Sequence, residues 1–307
     1  MDLWPEDVVP GRLTWSVTRD KRLRACLRRY YLHHFASRGG GGQKSTRESR
    51  ELYLLKHLRN RFMWVGETVH EMVELALNAF RRGDEVPVDQ LIDRGTRRMR
   101  AQYSESVQGI YRDSPNTKFA LFEHEYREDI TRDEWKLQRD RMAACLRTFF
   151  ALPVVQTIRK APVLQWLAVE SAASFELDGA TVIVKPDFAW RDTEGRVVLV
   201  DWKTGKPRQD DERLQLAVYA AYAKRAWGVA PDFTRALVAY LETGDVIELE
   251  FTDTDLVWGE SMIRDSVKTM RELGAYDTDA ARFPLTDDLK QCGFCSFKRV
   301  CGRNGQR

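Results

Sequence analysis

The sequence predicts an α/β protein built around a mixed β-sheet, and two observations lead to this prediction. Near residue 165, helical periodicity gives way to short segments rich in Val, Ile, Phe and Trp. The predicted core order is then αβββαβ with one further strand, which places helices around a sheet. With 307 residues, of which 43% are hydrophobic and 31% charged, the chain can bury a substantial core.

The first predicted element is a helix over residues 12–37 with a basic face. The segment GGGGQKST (39–46) follows it and superficially resembles a phosphate-binding loop. Such a loop needs a glycine directly before its lysine, and Gln43 stands at that position. We therefore expect 39–46 to be a flexible connection.

Helical spacing of apolar residues continues in two further segments. Leucine and valine recur at intervals of three and four over residues 48–80, which predicts a helical region. Residues 88–160 are charged and mostly helical in pattern, and no arrangement of their side chains has an assignable chemistry. We interpret them as a helical insertion, and a DNA clamp, a partner-docking surface and plain scaffold all stay open as its role.

From about residue 165 the chain is predicted to form a three-stranded meander, with turns at Asp178-Gly179 and Glu194-Gly195. The predicted strands are Leu167–Leu177, Thr181–Trp190 and Arg196–Trp202. The remaining predicted elements are a helix at about 210–227, a hairpin of 234–241 with 245–251, and a helix at about 254–273.

Two charged residues end the third strand of this meander. Asp201 and Lys203 follow the apolar run Val197–Val200, where an unpaired charge is costly to bury. Strand alternation points Asp201 and Lys203 the same way and Trp202 the other way. The short link to the preceding strand brings Asp187 beside Asp201, and two carboxylates this close repel each other unless a divalent cation lies between them. The residues indicate a Mg²⁺ or Mn²⁺ site with a lysine beside it. An ordinary surface ion pair is the alternative.

With these residues placed, the sequence resembles the PD-(D/E)XK nuclease superfamily. Its two-part motif is matched by KPDF (185–188) and DWK (201–203), with thirteen residues between the two aspartates. Three further features are similar to the RecB-like branch of the superfamily. They are the GxxxH helix motif at Gly66–His70, an acidic residue at Glu170, and the QxxxY helix motif at Gln215–Tyr219.

The resemblance implies a restriction-endonuclease-like αβββαβ core and metal-dependent hydrolysis of phosphodiester bonds in DNA. The implied ligands of Mg²⁺ or Mn²⁺ are His70, Asp187, Asp201 and the backbone carbonyl of Trp202. Glu170 is expected to join them through a second metal ion or a water molecule.

The resemblance also implies roles for the residues beside the metal. Lys203 is expected to position or deprotonate the attacking water. Gln215 and Tyr219 are expected to orient Lys203 or the DNA backbone. One departure from the branch is Lys185-Pro186, where many members have a glycine and an aliphatic residue.

Four of the five cysteines lie near the two ends of the chain. Cys26 is in the predicted N-terminal helix, and Cys292, Cys295 and Cys301 form C-x2-C-x5-C. Thiolates grouped in fours select zinc or an iron–sulfur cluster, and their spacing does not separate the two. Cys145 is expected to be an ordinary buried thiol.

The arrangement of one upstream cysteine and three C-terminal ones resembles the iron–sulfur subset of RecB-like nucleases. That subset includes the CRISPR-associated exonucleases and the nuclease domain of AddB-type recombination proteins. The resemblance implies a 4Fe–4S cluster that joins the N- and C-terminal segments, with zinc as the less favoured alternative.

Basic and aromatic residues flank these cysteines. They are Arg22, Arg24, Arg28, Arg29, Lys298, Arg299 and Arg303, with Tyr30, Tyr31, Phe294 and Phe297 among them. Positive charge combined with stacking rings suits single-stranded DNA, and a solvated basic face is the alternative. The net charge of +3 indicates no partner by itself.

We therefore expect an exonuclease on single-stranded DNA ends, in DNA repair, recombination or CRISPR-type antiviral defence. A helicase or a CRISPR or repair protein would be a separate partner. The alternative is a DNA-end-binding or processing subunit of a larger complex with little activity alone.

The expected location is the cytoplasm, because the N-terminus lacks a signal-peptide pattern and no apolar run approaches the about 20 residues of a membrane helix. We expect one nuclease domain over 1–307. Its expected parts are 12–80, the insertion 88–160, a catalytic core at 165–275 and a cysteine segment at 285–307.

Overall fold

The computed structural model describes residues 13–42, 44–207, 212–274 and 279–303. The expectations for the N-terminal residues 1–12, for Gln43 and for the start of the helix near 210 lie outside the described residues. The described chain folds into two β-sheets with mixed strand directions, covered by helices. This confirms the predicted α/β class. No helix in the described ranges is long and apolar enough to cross a membrane.

The N-terminal segment differs from the single helix predicted over 12–37. Its elements are strand β1 (Leu13–Trp15), helices α1 (Val17–Ala25) and α2 (Leu27–Tyr31), and a π-helical turn (Leu32–Ala36). The helix is interrupted because Cys26 has an extended backbone, with φ −166° and ψ 115°. The Cys26 thiol is thereby placed at the start of α2, where its Sγ accepts a hydrogen bond from the Arg29 N–H at 3.5 Å.

Six helices follow. They are α3 (Arg47–Lys56), α4 (Arg61–Arg82), α5 (Val88–Gln108), α6 (Phe122–Glu125), α7 (Arg132–Ala151) and α8 (Pro153–Lys160). The helical region predicted over 48–80 is divided because the Asn60 side chain caps α4, accepting from the N–H groups of Phe62 and Met63. Helices α4, α5 and α7 pack on one another, and Phe149 of α7 contacts Trp202 at a ring-centroid distance of 5.1 Å. The 88–160 region therefore forms a layer over the sheet rather than a peripheral addition.

The strands after α8 form the centre of the fold. They are β2 (Trp166–Val169), β3 (Ala173–Leu177), β4 (Ala180–Val184), β5 (Phe188–Arg191), β6 (Val197–Lys203), β7 (Thr234–Tyr240) and β8 (Val246–Glu250). The larger sheet has the order β2-β5-β6-β7-β8, and the smaller has the order β1-β4-β3. The pairs β6–β7 and β1–β4 are parallel, and the other pairs are antiparallel.

The predicted three-stranded meander is wrong, because its first two strands are each divided between the two sheets. Leu167–Leu177 becomes β2 and β3, and Thr181–Trp190 becomes β4 and β5. The first break falls at Glu170, whose φ of +46° is in the left-handed region and ends the extended strand. The second break falls at Pro186, which has no N–H to donate to a sheet.

Strand β6 lies between two hydrophobic cores. Val197 and Leu199 point into the core formed with helices α9 (Arg213–Trp227) and α10 (Asp253–Leu273). Val198, Val200 and Trp202 point into the core formed with α4 and α7. This alternation is the one expected from the sequence, and it directs Asp201 and Lys203 to the α9 side.

Candidate metal centre

Three acidic residues lie in one row across the larger sheet, at the ends of β2, β5 and β6. Phe188 of β5 is paired with β2 on one side and with β6 on the other. Continuing this register by one residue places Asp187 beside Glu170 and opposite Asp201. The Glu170 backbone N–H donates to the Asp187 carbonyl at 2.9 Å, so the pairing extends to the site itself.

Helix α4 brings His70 to this row. Its Nδ1 lies 3.1 Å from Oε1 of Glu170 and 3.6 Å from Oδ1 of Asp187. One turn earlier, Gly66 faces the loop that follows β6, where an added Cβ would lie 3.3 Å from Oγ1 of Thr204. Gly66 thus allows the close approach that places His70 beside the carboxylates.

His70, Glu170 and Asp187 together offer a ligand set for a metal ion. One donor atom from each lies within 4.8 Å of the other two. Among the described residues, no other three His, Cys, Asp or Glu side chains are grouped this closely. The two carboxylates provide the oxygen donors that suit Mg²⁺ or Mn²⁺, and the imidazole adds one nitrogen donor beside them. The residues present therefore fit the divalent cation that the sequence predicted.

Burial and mutual charge shift the pKa values of this trio. Burial lowers the pKa of His70, but the negative charges of Asp187 and Glu170 outweigh it and raise the pKa to about 9. Burial raises the pKa of Asp187 to about 7, with the neighbouring Asp201 and Glu170 adding to the shift against the opposing His70. Without a metal, the carboxylates are thus balanced by protons and by cationic side chains.

The negative charge of Glu170 is neutralised by two cationic side chains, His70 and Lys185. Burial raises the pKa of its carboxyl, but hydrogen bonds from His70 and Lys185 outweigh this effect and hold the pKa below its usual range. Lys185 Nζ lies 2.6 Å from Oε2 of Glu170. Sequence reasoning counted Lys185 in the KPDF motif and noted it as a departure from the branch, but it did not predict this contact. Its place two residues before Asp187, on the same face of an extended segment, was the available signal.

The other predicted catalytic residues form a hydrogen-bonded chain beside the trio. Lys203 Nζ lies 2.6 Å from Oδ2 of Asp201 and donates to Oε1 of Gln215 at 3.2 Å. The Gln215 amide donates to Oδ1 of Asp201 at 2.8 Å and to the Tyr219 hydroxyl at 2.9 Å. The Tyr219 hydroxyl donates to the Lys185 carbonyl at 2.7 Å. These hydrogen bonds fix the position of the Lys203 ammonium between a carboxylate and an amide.

Trp202 connects the His70–Glu170–Asp187 trio to the hydrogen-bonded side chains that include Asp201 and Lys203. Its backbone N–H donates to Oδ2 of Asp187 at 2.7 Å, while its indole packs into the core on the other face of β6. The structure therefore brings together the predicted residues His70, Glu170, Asp187, Asp201, Lys203, Gln215 and Tyr219. A ligand role for the Trp202 carbonyl stays a prediction.

The four terminal cysteines meet at a second site. Cys26, Cys292, Cys295 and Cys301 all line one cavity of about 720 Å³. The Arg28 backbone N–H donates to the Pro284 carbonyl at 3.1 Å, and its side chain donates to the Phe283 carbonyl at 2.8 Å. These bonds join the N- and C-terminal segments around the cavity. The fifth cysteine, Cys145, is buried in the α4–α7 core, as predicted.

The predicted DNA-binding surface around the cysteines is wrong for several of its members. Tyr30 and Phe297 are completely buried, so neither ring is available for stacking on a base. Many of the basic side chains bind protein groups instead. Arg24 pairs with Asp20, Lys298 with Glu128, Arg299 with Glu51 and Glu125, and Arg303 with the Thr286 carbonyl. Tyr31 is half-buried, and Phe294 is exposed over 47% of its surface.

An α/β fold whose mixed sheet carries a histidine and three carboxylates beside a lysine is compatible with metal-dependent hydrolysis of phosphodiesters. A family model for the PD-(D/E)XK nuclease superfamily matches residues 14–302, so this chain belongs to that superfamily. Its general activity is that of a metal-dependent nuclease. No curated protein matches the chain. One similar solved structure is that of SSO0001. The alignment covers 59% of this chain and 78% of that chain, at 14% identity and with a TM-score of 0.31.

Proposed function

We propose that this protein is a deoxyribonuclease that degrades single-stranded DNA from its ends. The observation that supports the reaction is the placement of His70, Glu170 and Asp187 within 4.8 Å of one another, directly beside the Asp201–Lys203 pair. The proposed ligands of Mg²⁺ or Mn²⁺ are His70, Asp187, Asp201 and the Trp202 carbonyl, with Glu170 joining through water or a second ion. When bound, the cation supplies charge that polarises the phosphate and acidifies water.

The side chains around the ligands have their own tasks in this proposal. Lys203 offers three N–H donors beside the cation, and it positions the attacking water against the phosphate. Gln215 holds the Lys203 ammonium through its amide oxygen and Asp201 through its amide nitrogen. Tyr219 keeps Gln215 in place and is itself fixed to the backbone at Lys185.

An exposed aromatic pair supports the single-stranded substrate. Phe62, which is 41% exposed, contacts Phe294 at a ring-centroid distance of 5.8 Å. The guanidinium groups of Arg61 and Arg141 lie 4.7 Å and 5.6 Å from the Phe62 ring centroid. Phe62 and His70 lie on one face of α4, two turns and about 12 Å apart along its axis. Rings and guanidinium groups at this position are suited to unpaired bases that approach the metal.

The cysteine cavity supports a 4Fe–4S cluster over zinc. Tetrahedral zinc with Zn–S bonds of about 2.3 Å needs its sulfurs about 3.8 Å apart. No three of the four cysteine sulfurs, all of which belong to the described chain, come within 4.8 Å of one another. All four thiols line one cavity, and the resemblance of their arrangement to the iron–sulfur subset favours the cluster. Anaerobic protein with an absorbance band near ~400 nm and bound iron would support the cluster, whereas colourless protein with stoichiometric zinc would refute it.

The nuclease is tested by digesting end-labelled single-stranded and duplex DNA with Mg²⁺, with Mn²⁺ and with a chelator. Lys203→Ala should lower metal-dependent cleavage by at least about a hundredfold. Lys206→Ala is the control, because Lys206 is exposed three residues further along. Cleavage that persists in Lys203→Ala would refute the mechanism. If the unsubstituted protein binds DNA without cleaving it, the alternative of a processing subunit would be favoured. We assign the pathway (repair, recombination or CRISPR-type defence) and a helicase or CRISPR partner by resemblance alone.

A further inference from the structure

A second concave site lies on the helical layer, between α5 and α7. This groove has a volume of about 630 Å³ and includes none of the predicted catalytic residues. Its apolar floor and its polar rim come from different residues. The floor consists of Trp64, Met99, Tyr103, Ile130 and Trp135, and the rim of Thr96, Arg100, Arg132, Asp133, Lys136 and Arg139.

The floor is a fixed aromatic cluster. Trp135 contacts Tyr103 at a centroid distance of 5.3 Å and Trp64 at 6.2 Å, both edge to face. The Trp64 indole N–H donates to Oε1 of Gln102 at 2.7 Å, which holds the ring in place. Tyr103 and Trp135 are half-buried, so part of each ring remains open to the groove. Such rings offer a preorganised surface for a planar ligand.

The rim is strongly cationic. It carries four basic side chains against one acidic residue, Asp133. Within the described chain, Arg100, Arg132 and Lys136 have no carboxylate at ion-pair distance, whereas Arg139 binds Asp140 at 2.6 Å. Exposed basic residues elsewhere in this protein commonly pair with acids, as Arg264 does with Glu260 and Arg24 with Asp20. The rim thus keeps positive charge available for an anion.

We propose that this groove binds a nucleotide segment of a single-stranded nucleic acid, away from the catalytic centre. An aromatic floor with several unpaired cations around it matches a base attached to a phosphate backbone. Phosphate alone would not need the rings, and an apolar peptide would not need the cations. The choice of DNA as the strand rests on the proposed function, whereas the groove itself does not.

The groove is separate from the metal centre but is connected to it through α4. Trp64 precedes His70 by six residues, which is about 9 Å along the helix axis and about 120° around it. The two sites therefore open on different flanks of one helix. A strand held in the groove would extend past the N-terminal end of α4 toward Phe62, and this gives the 88–160 region a role in holding the substrate.

The test measures binding of a fluorescent oligonucleotide of about 20 nucleotides to the Lys203→Ala chain in chelator, so that neither cleavage nor metal contributes. The groove variant combines Arg100→Gln, Arg132→Gln and Lys136→Gln. The control variant carries Arg94→Gln and Arg97→Gln, which are exposed on α5 outside the groove. Circular dichroism confirms the fold of each.

We expect the groove variant to bind about tenfold or more weakly and the slope of log K against log salt to fall by about 0.7 per lost contact. The control variant should lose less than about twofold. Trp135→Phe should keep the fold and weaken binding, and DNA should quench the tryptophan fluorescence of the parent chain more than that of Trp135→Phe. Equal losses in the groove and control variants would overturn the proposal. So would equal competition by oligoglutamate of the same charge, because the aromatic floor would then have no function. Because binding is measured without metal, the result is independent of whether the chain cleaves DNA.

Discussion

Asp187 is hydrogen-bonded to the strand that carries Asp201, since its Oδ2 accepts the Trp202 backbone N–H at 2.7 Å. Its other oxygen lies 3.6 Å from Nδ1 of His70. One carboxylate oxygen thus supports the sheet and the other faces His70, a proposed metal ligand. Substitution can separate these two functions.

Asp187→Asn keeps an oxygen that accepts the Trp202 N–H and removes a charge buried near Glu170 and Asp201. We expect the metal-free variant to unfold at the same temperature as the parent or higher, while metal-dependent cleavage is lost. Asp187→Ala leaves the N–H without this acceptor and should cost about 1–3 kcal/mol of stability. Thermal unfolding in chelator measures the difference, and equal destabilisation by both substitutions would contradict the structural role.

Metal affinity should rise with pH. In the metal-free protein, His70 with a pKa of about 9 is protonated at neutral pH, and Asp187 with a pKa of about 7 is partly protonated. A cation must displace these protons, so binding is weakest below pH 7 and strengthens until both groups are deprotonated above about pH 9. Calorimetry in buffers with different ionisation enthalpies counts the released protons. His70→Gln should release fewer, and unchanged proton release would argue against His70 as a ligand.

The aromatic pair should affect substrate binding more than chemistry. Phe62→Ala and Phe294→Ala should each raise KM for single-stranded DNA by about fivefold or more, with kcat nearly unchanged, because base stacking contributes about 1–3 kcal/mol per base. Val257→Ala on α10 is the control, since Val257 is also exposed. Steady-state kinetics on oligonucleotides measures both constants, and a lower kcat at constant KM would contradict a stacking role.

The cysteine site should hold the two ends of the described chain together. Cys26→Ala should abolish iron binding and increase cleavage by a protease near Phe283–Phe297, because the cross-link is lost. Cys145→Ala removes a cysteine from the α4–α7 core and should leave the iron content unchanged. Iron analysis and limited proteolysis of both variants test this. Equal iron in the two proteins would exclude Cys26 as a ligand.

Loss of the proposed cluster should also loosen the helical layer. Glu125, the last residue of α6, is buried and binds both Arg112 and Arg299, the latter from the cysteine segment. The Tyr126 hydroxyl donates to the Ser296 carbonyl at 2.7 Å. In Cys26→Ala we therefore expect faster hydrogen exchange at residues 119–128 than in Cys145→Ala.

The sequence was sufficient to predict the class of fold and the placement of Asp187 beside Asp201, because these depend on strand alternation and on the short link between two strands. Glu170 and His70 were predicted from the family resemblance, as was the role of Gln215 and Tyr219 beside Lys203. Asp201, Lys203 and Trp202 follow the period of two along β6, and Gln215 and Tyr219 follow the i, i+4 spacing of α9. The hairpin of β7 and β8 was likewise predicted from its central turn.

The division of the sheet could not be predicted in this way. A single left-handed residue, Glu170, and a single proline, Pro186, divide strands whose composition is continuous. The break at Cys26 has no marker such as Gly or Pro, and its extended backbone depends on tertiary contacts, including the bond from Arg28 to Pro284. The burial of Tyr30 and Phe297 is also a tertiary property, since aromatic residues near basic ones occur in cores and on surfaces alike.

The packing of the core and the position of Asp201 both depend on the register of strand β6. The α4–α7 core is filled from this strand by Val198, Val200 and Trp202. Asp201 lies between the last two in sequence and points the other way, toward Gln215. A shift of one residue would bury the carboxylate against Phe149 and turn the indole toward Gln215. A misaligned chain would therefore lose its core and its activity together, so that an active molecule is also a correctly folded one.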